Sequence, residues 1–301
     1  MIDKFNFYDI YGYFLPGASL LLLLWLPFGI VRHLWPASDW GSAVIGIVLA
    51  YITGYILQTI CTRAMPSSIA IGADGHPRYP SDVVVDKAND TFSVDFKEKL
   101  ETRIKEYFGL DIGIEKPENK ALDVVRRDAL FLARHVLIRA KEVNYAEQFE
   151  GLYTLARGLA AGLTIGCVNY IGWSISVVHE WLLDSVAIVV LVLSLLAADN
   201  FAAQILRKDL EKNYKVQKWL ELLSALALLL AALSVGYGMG RRYEITAAQA
   251  GKFALLAMVT LLGALRAYSA YKSFSIHFAK RIWQDFFAAT SKQAGAGKQD
   301  E

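Results

Sequence analysis

The side chains best suited to metal binding or nucleophilic chemistry are five histidines, His33, His76, His135, His179 and His277, and two cysteines, Cys61 and Cys167. No two histidines stand at the spacing of a helical metal pair, and the cysteines sit in or beside apolar runs far apart in sequence. Neither a disulfide framework nor a zinc set can be assembled from them, and they read as small buried thiols. No Gly-x-Ser-x-Gly elbow or phosphate-cradling glycine loop occurs in a strand-turn-helix context. Gly75-His76-Pro77-Arg78 is the one stretch unusual for a loop. The chain therefore does not read as an enzyme and calls for neither cofactor nor metal.

Charge and polarity in unexpected places are more informative. Arg266 lies inside a long apolar run, where an ionisable group costs about 2.5–3.5 kcal/mol on insertion scales. It either lines a gate or pore, with Asp199 or Glu221 as partner, or snorkels along its helix to the interface. Asn169 in another apolar run is suited to hydrogen bonding with a neighbouring helix. Arg127, Arg134 and Lys141 recur every seventh residue on one helix side. That row could hold an anionic ligand or another subunit's acids, or be a solvated face. Ser234-Val235-Gly236-Tyr237-Gly238 resembles the Thr-Val-Gly-Tyr-Gly carbonyl filter of potassium channels. The stretch before it is long enough to cross a membrane rather than re-enter, so Gly236 and Gly240 read better as a close-packing face.

The elements that must position these residues are apolar. With 55% hydrophobic residues, 20% charged and a formal net charge of +2 over 301 residues, part of the chain belongs in lipid and part in water. Gly158, Gly162 and Gly166 recur at four-residue steps, a pattern that lets helix backbones approach closely in a bilayer. Gly46, Ala50 and Gly54 form a second ladder, so the two small-residue faces could meet. Apolar runs over 13–31 and 41–62, then about 158–178, 181–198, 219–240 and 253–271, predict six transmembrane helices, or four if two are re-entrant. Pro16-Gly17 can break or cap the first, and Pro27 should kink it. Asp3 and Asp9 against a lone Lys4 make the opening unlike a secretion signal. Ten basic residues follow the fourth and sixth runs, among them Arg207, Lys208, Lys272 and Arg281. The opposite connections hold only Arg32, Arg241, Arg242 and Lys252. The positive-inside rule then predicts cytoplasmic termini.

Four domains result. Residues 1–63 form an interfacial N-terminus with the first two spans, and 64–152 a mostly helical cytoplasmic insertion. Residues 153–271 carry the remaining spans with a basic connection at 199–218, and 272–301 a C-terminal helix and tail. In the insertion, Val83-Val84-Val85 is at most a short strand, and Ser93 caps a helix that stops at Gly109. A long helix is expected from about Ala121 into Gly158, with Leu122, Val125, Ala129, Leu132, Val136, Ala140 and Val143 as its apolar stripe. The insertion holds 13 basic and 16 acidic residues, a balance that argues against direct nucleic-acid binding.

Phe7-Tyr8-Asp9-Ile10-Tyr11-Gly12-Tyr13-Phe14-Leu15-Pro16-Gly17-Ala18 resembles the opening of a loose set of bacterial inner-membrane proteins. Arg78-Tyr79-Pro80-Ser81, and Arg266 to Phe286 with Tyr268, Tyr271 and Phe274, are similar to the same set. Some of its members look like membrane components of antiphage defence systems. The resemblance implies a channel, a membrane-disrupting effector or a sensor of membrane damage, and carries over no catalytic residue. The expectation is an all-α polytopic bundle in the bacterial inner membrane. It would form a homo-oligomeric pore gated through the insertion, or a non-conducting sensor or scaffold recruiting a soluble cytoplasmic partner. Lipid, further copies of the chain, and a soluble partner or small anionic ligand are the expected associates.

Overall fold

The computed structural model describes residues 9–36, 39–65, 68–72, 77–113, 120–140, 144–177 and 214–296. These residues are helical apart from loops and a two-residue antiparallel pairing, β1 (Ala70–Ile71) with β2 (Pro77–Arg78), which sets Ala70 opposite Arg78. In chain order the helices are α1 (Leu15–Arg32), α2 (Trp40–Ala64), α3 (Pro80–Val84), α4 (Val94–Phe108), α5 (Lys120–Arg139), α6 (Asn144–Ile175), α7 (Tyr214–Arg242) and α8 (Ala247–Ala296).

Four stretches are long and apolar enough to cross a bilayer among the described residues: Ile10–Arg32, Trp40–Thr62, Ala146–Ile175 and Ala247–Ser291. This marks the chain as a membrane protein. Helix α7 covers the expected fifth span, whereas the fourth, at 181–198, lies outside the described residues together with Asp199 and most of the basic connection. A 45-residue helix is about 68 Å long, more than twice the thickness of a hydrocarbon core, so lipid can cover only part of Ala247–Ser291.

The chain divides into two compact units. The bundle unit takes in Asp9–Met65 and Leu155–Tyr268. Within it a π-helical turn, Ile10–Phe14, leads into α1 without a break. Pro16 lacks the N–H that would extend the regular ladder, and the wider turn ahead of it accommodates that loss, so Pro16-Gly17 neither breaks nor caps the helix. Asp39 caps α2 by accepting a hydrogen bond from the Ser42 N–H at 2.9 Å. Val44, Ile45, Val48, Ile52 and Ile56 are exposed along α2, a surface suited to lipid rather than water.

The insertion unit takes in Pro66–Thr154 and Ser269–Glu301. Its core gathers Leu100 and Ile104 of α4, Ala129, Ala133 and Leu137 of α5, Ala146 of α6, and Ile282, Trp283 and Phe286 of α8. Phe108 stacks on Phe286 at 5.3 Å, and Phe96 meets Phe287 edge-on at 5.1 Å. The C-terminal helix is therefore a core member of the insertion.

Two further expectations differ from the structure. Val83-Val84-Val85 forms no strand, because Pro80 presets the first turn of α3 and all three valines are buried. The long helix from Ala121 to Gly158 is instead two, α5 ending at Arg139 and α6 starting at Asn144. Arg134 and Glu150 form an ion pair, which sixteen residues of continuous helix would hold about 24 Å apart. The buried stripe of α5 is accordingly Leu122, Arg126, Ala129, Leu130, Ala133 and Leu137, and Leu132 is exposed.

Candidate functional site

In the bundle unit the glycines differ sharply in what surrounds them. A Cβ on Gly54 would lie 1.7 Å from the Tyr13 carbonyl oxygen, and one on Gly17 would lie 1.8 Å from that of Ala50. The seam between α1 and α2 thus runs backbone against backbone through Gly17, Ala50 and Gly54. A second seam joins α6 to α7: a Cβ on Gly172 would meet the Leu233 carbonyl oxygen at 2.3 Å, and one on Gly236 that of Asn169 at 2.1 Å.

The two ladders read from the sequence do not face one another. Gly158 packs on Pro16 and Gln58, with a Cβ contact of 2.7 Å to each. Gly166 abuts Leu23 at 3.1 Å, Gly162 would gain only an ordinary contact at 3.6 Å to Leu57, and Gly46 meets nothing within 4 Å. Asn169 donates its amide N–H to the Ala232 carbonyl at 3.0 Å, tying α6 to α7 beside the second seam. Buried Gln58 accepts from the Arg157 guanidinium at 3.0 Å, and the Tyr170 hydroxyl donates to the Leu23 carbonyl at 2.7 Å. Arg266 is exposed on α8 beside the equally exposed Leu262 and Leu265. Ser234 to Gly238 lie within α7, where their carbonyls belong to a helical ladder and form no filter.

In the insertion unit charged residues converge where α3 meets α5. Arg78 pairs with Asp123 at 3.1 Å. Arg127 lies over the Tyr79 ring at 4.3 Å and donates to the Asp123 carbonyl at 3.3 Å. Buried Arg126 donates to the carbonyls of Ile112 at 3.0 Å, Gly113 at 3.2 Å and Asp82 at 3.4 Å. Asp82 is buried, with one carboxylate oxygen accepting from the Ser81 hydroxyl at 2.8 Å and the other without a hydrogen-bond partner among the described residues. Burial pushes the Asp82 carboxyl up to about 6, so this group can exchange a proton near neutral pH. Lys97 is likewise buried, its ammonium held by the carbonyls of Asp86, Lys87 and Asn89, and burial lowers its pKa.

Of the expected basic row, Arg127 and Arg134 are engaged with groups of their own chain, and Lys141 lies outside the described residues. Arg126, Lys97, Asp82, Gly17 and Gly172 escaped the sequence reading. Arg126 carried a detectable signal, since it stands four residues from Leu122 and from Leu130 on the buried stripe. No protein-family model matches the chain, and neither does any curated protein or solved structure.

Proposed function

We propose that this protein is a homo-oligomeric channel or membrane-permeabilising effector of the bacterial inner membrane, controlled through its insertion unit, with six spans and both termini in the cytoplasm. The observation that carries the reading is that two helices serve both cores. Helix α6 gives Ala146 to the core of the insertion and Ile165, Cys167 and Tyr170 to those of the bundle. Helix α8 gives Ile282, Trp283 and Phe286 to the first and Ala250, Phe253 and Ala257 to the second. A ligand or partner that alters packing in the insertion would act on backbones that also hold the bundle, and gating through the insertion requires that kind of coupling.

The basic bias of the connections supports the orientation. Resemblance of the opening and of the Arg266 to Phe286 stretch to membrane components of antiphage systems supports a role in defence. Purified full-length protein in liposomes tests the reading through native mass and ion flux measured on the same preparation. A multimer that lets ions through supports it, and a strict monomer whose vesicles stay tight contradicts it. Tight vesicles together with a stable complex between the protein and a soluble partner would replace it with the sensor or scaffold reading.

A further inference from the structure

Helix α5 has a second apolar ridge, opposite its buried stripe. Val124, Phe131 and Ile138 recur every seventh residue and are 46%, 63% and 45% exposed, with Leu132 beside them at 42%. Seven-residue spacing keeps side chains on one line of a helix, which is the pattern of a helix-pairing seam. Asp128 and His135, four residues after Val124 and Phe131, form an adjoining line on the same side of the helix, both exposed, and neither makes a hydrogen bond or ion pair among the described residues.

We propose that this ridge is a contact between two copies of the chain, paired antiparallel about a two-fold axis that passes between Phe131 and Leu132. The inference rests on the homo-oligomeric reading above and adds the surface. The polar pair selects the direction. In the antiparallel arrangement each Asp128 carboxylate opposes the His135 imidazole of the other copy, so the pair forms twice, as a two-fold interface requires. In a parallel arrangement Asp128 would oppose Asp128, and like charges at facing positions disfavour it. Phe131 and Leu132 then meet their own counterparts at the axis, and Ile138 covers the region of Val124 and Val125. This removes Phe131, the most exposed of the large apolar side chains of α5, from water.

The test uses the full-length chain with Cys61 and Cys167 replaced by serine, and two differently tagged copies expressed together. One copy carries Asp128→Cys and the other His135→Cys. The expected result is an oxidative cross-link between the differently tagged copies and none between two Asp128→Cys copies, whose Cα atoms would be offset by about 10 Å along the axis, beyond disulfide reach. Charge variants supply a second reading. Asp128→Lys alone and His135→Glu alone should each lower the yield of a Leu132→Cys cross-link, and the two together should restore it. A multimer by native mass with no 128–135 cross-link, or with a 128–128 cross-link, overturns the surface and leaves the oligomer standing. A monomer overturns both.

Discussion

Gly54 and Gly162 look alike in the sequence, each part of a four-residue ladder, yet one added carbon separates them. A methyl on Gly54 collides with the Tyr13 carbonyl at 1.7 Å, whereas a methyl on Gly162 gains an ordinary contact at 3.6 Å. Gly54→Ala should therefore cost about 1–3 kcal/mol or more, since backbone must move to admit it. Gly162→Ala should be neutral or slightly stabilising, because alanine favours the helix by about 1 kcal/mol over glycine. Thermal unfolding of the two variants in detergent compares them directly. Asp82 offers a residue-scale test in pH. Its folded-state pKa of about 6 lies above the usual carboxylate value near 3.9, so the folded state binds the extra proton between those limits. The contribution of Asp82 to stability is full below about pH 4 and is lost as pH rises towards 6. By pH 7 the loss amounts to about 3 kcal/mol, so Asp82→Asn should flatten that slope and leave the protein more stable than the parent at neutral pH. Urea unfolding of full-length protein at pH 4.5 and pH 7 measures it.

The elements were legible in the sequence wherever local chemistry decided the outcome. Ser93 accepts from the Phe96 N–H at 3.3 Å and Gly109 closes α4 with φ +70°, as the capping pattern predicted. The apolar runs of span length among the described residues are helices, because a backbone in lipid has no other donor or acceptor to satisfy it. Legibility failed where distant residues decided. Nothing local separates α5 from α6, because their apolar periods nearly match across the junction; the break is enforced by the Arg134–Glu150 pair and by Ala133, Leu137 and Ala146 sharing one core. Which glycine ladder met which helix was equally hidden, since Gly17 sat beside a proline and read as punctuation rather than as a seam. Arg134 also lies over Phe278 at 6.0 Å, so Arg134→Ala removes an ion pair and a ring contact together. It should destabilise the protein by about 1–3 kcal/mol, and Arg134→Lys should recover only part of the loss because lysine lacks the planar fork. Chemical denaturation of the two variants checks the order.

At the scale of the whole molecule, the arrangement is two cores threaded by the same two helices. The bundle core is tied by backbone contact at glycines and by amide and hydroxyl bonds from Asn169 and Tyr170. The insertion core is aromatic, built on Phe108, Trp283 and Phe286, and sits beside a buried carboxyl able to titrate near neutral pH. Continuous helical backbone passes from one unit to the other between Thr154 and Leu155 in α6 and between Tyr268 and Ser269 in α8, and on the proposed reading α6 is one of the two routes by which events in one core reach the other. Inserting three glycines between Thr154 and Leu155 changes no residue of either core and interrupts the helical coupling and its register at the α6 junction. The decisive measurement is ion flux through liposomes holding the intact chain, compared with the same vesicles holding the triple-glycine variant at equal oligomer content. The account predicts flux from the intact chain and a clear change, loss or permanent leak, when α6 is interrupted. Identical flux from the two, or none from either, would contradict it.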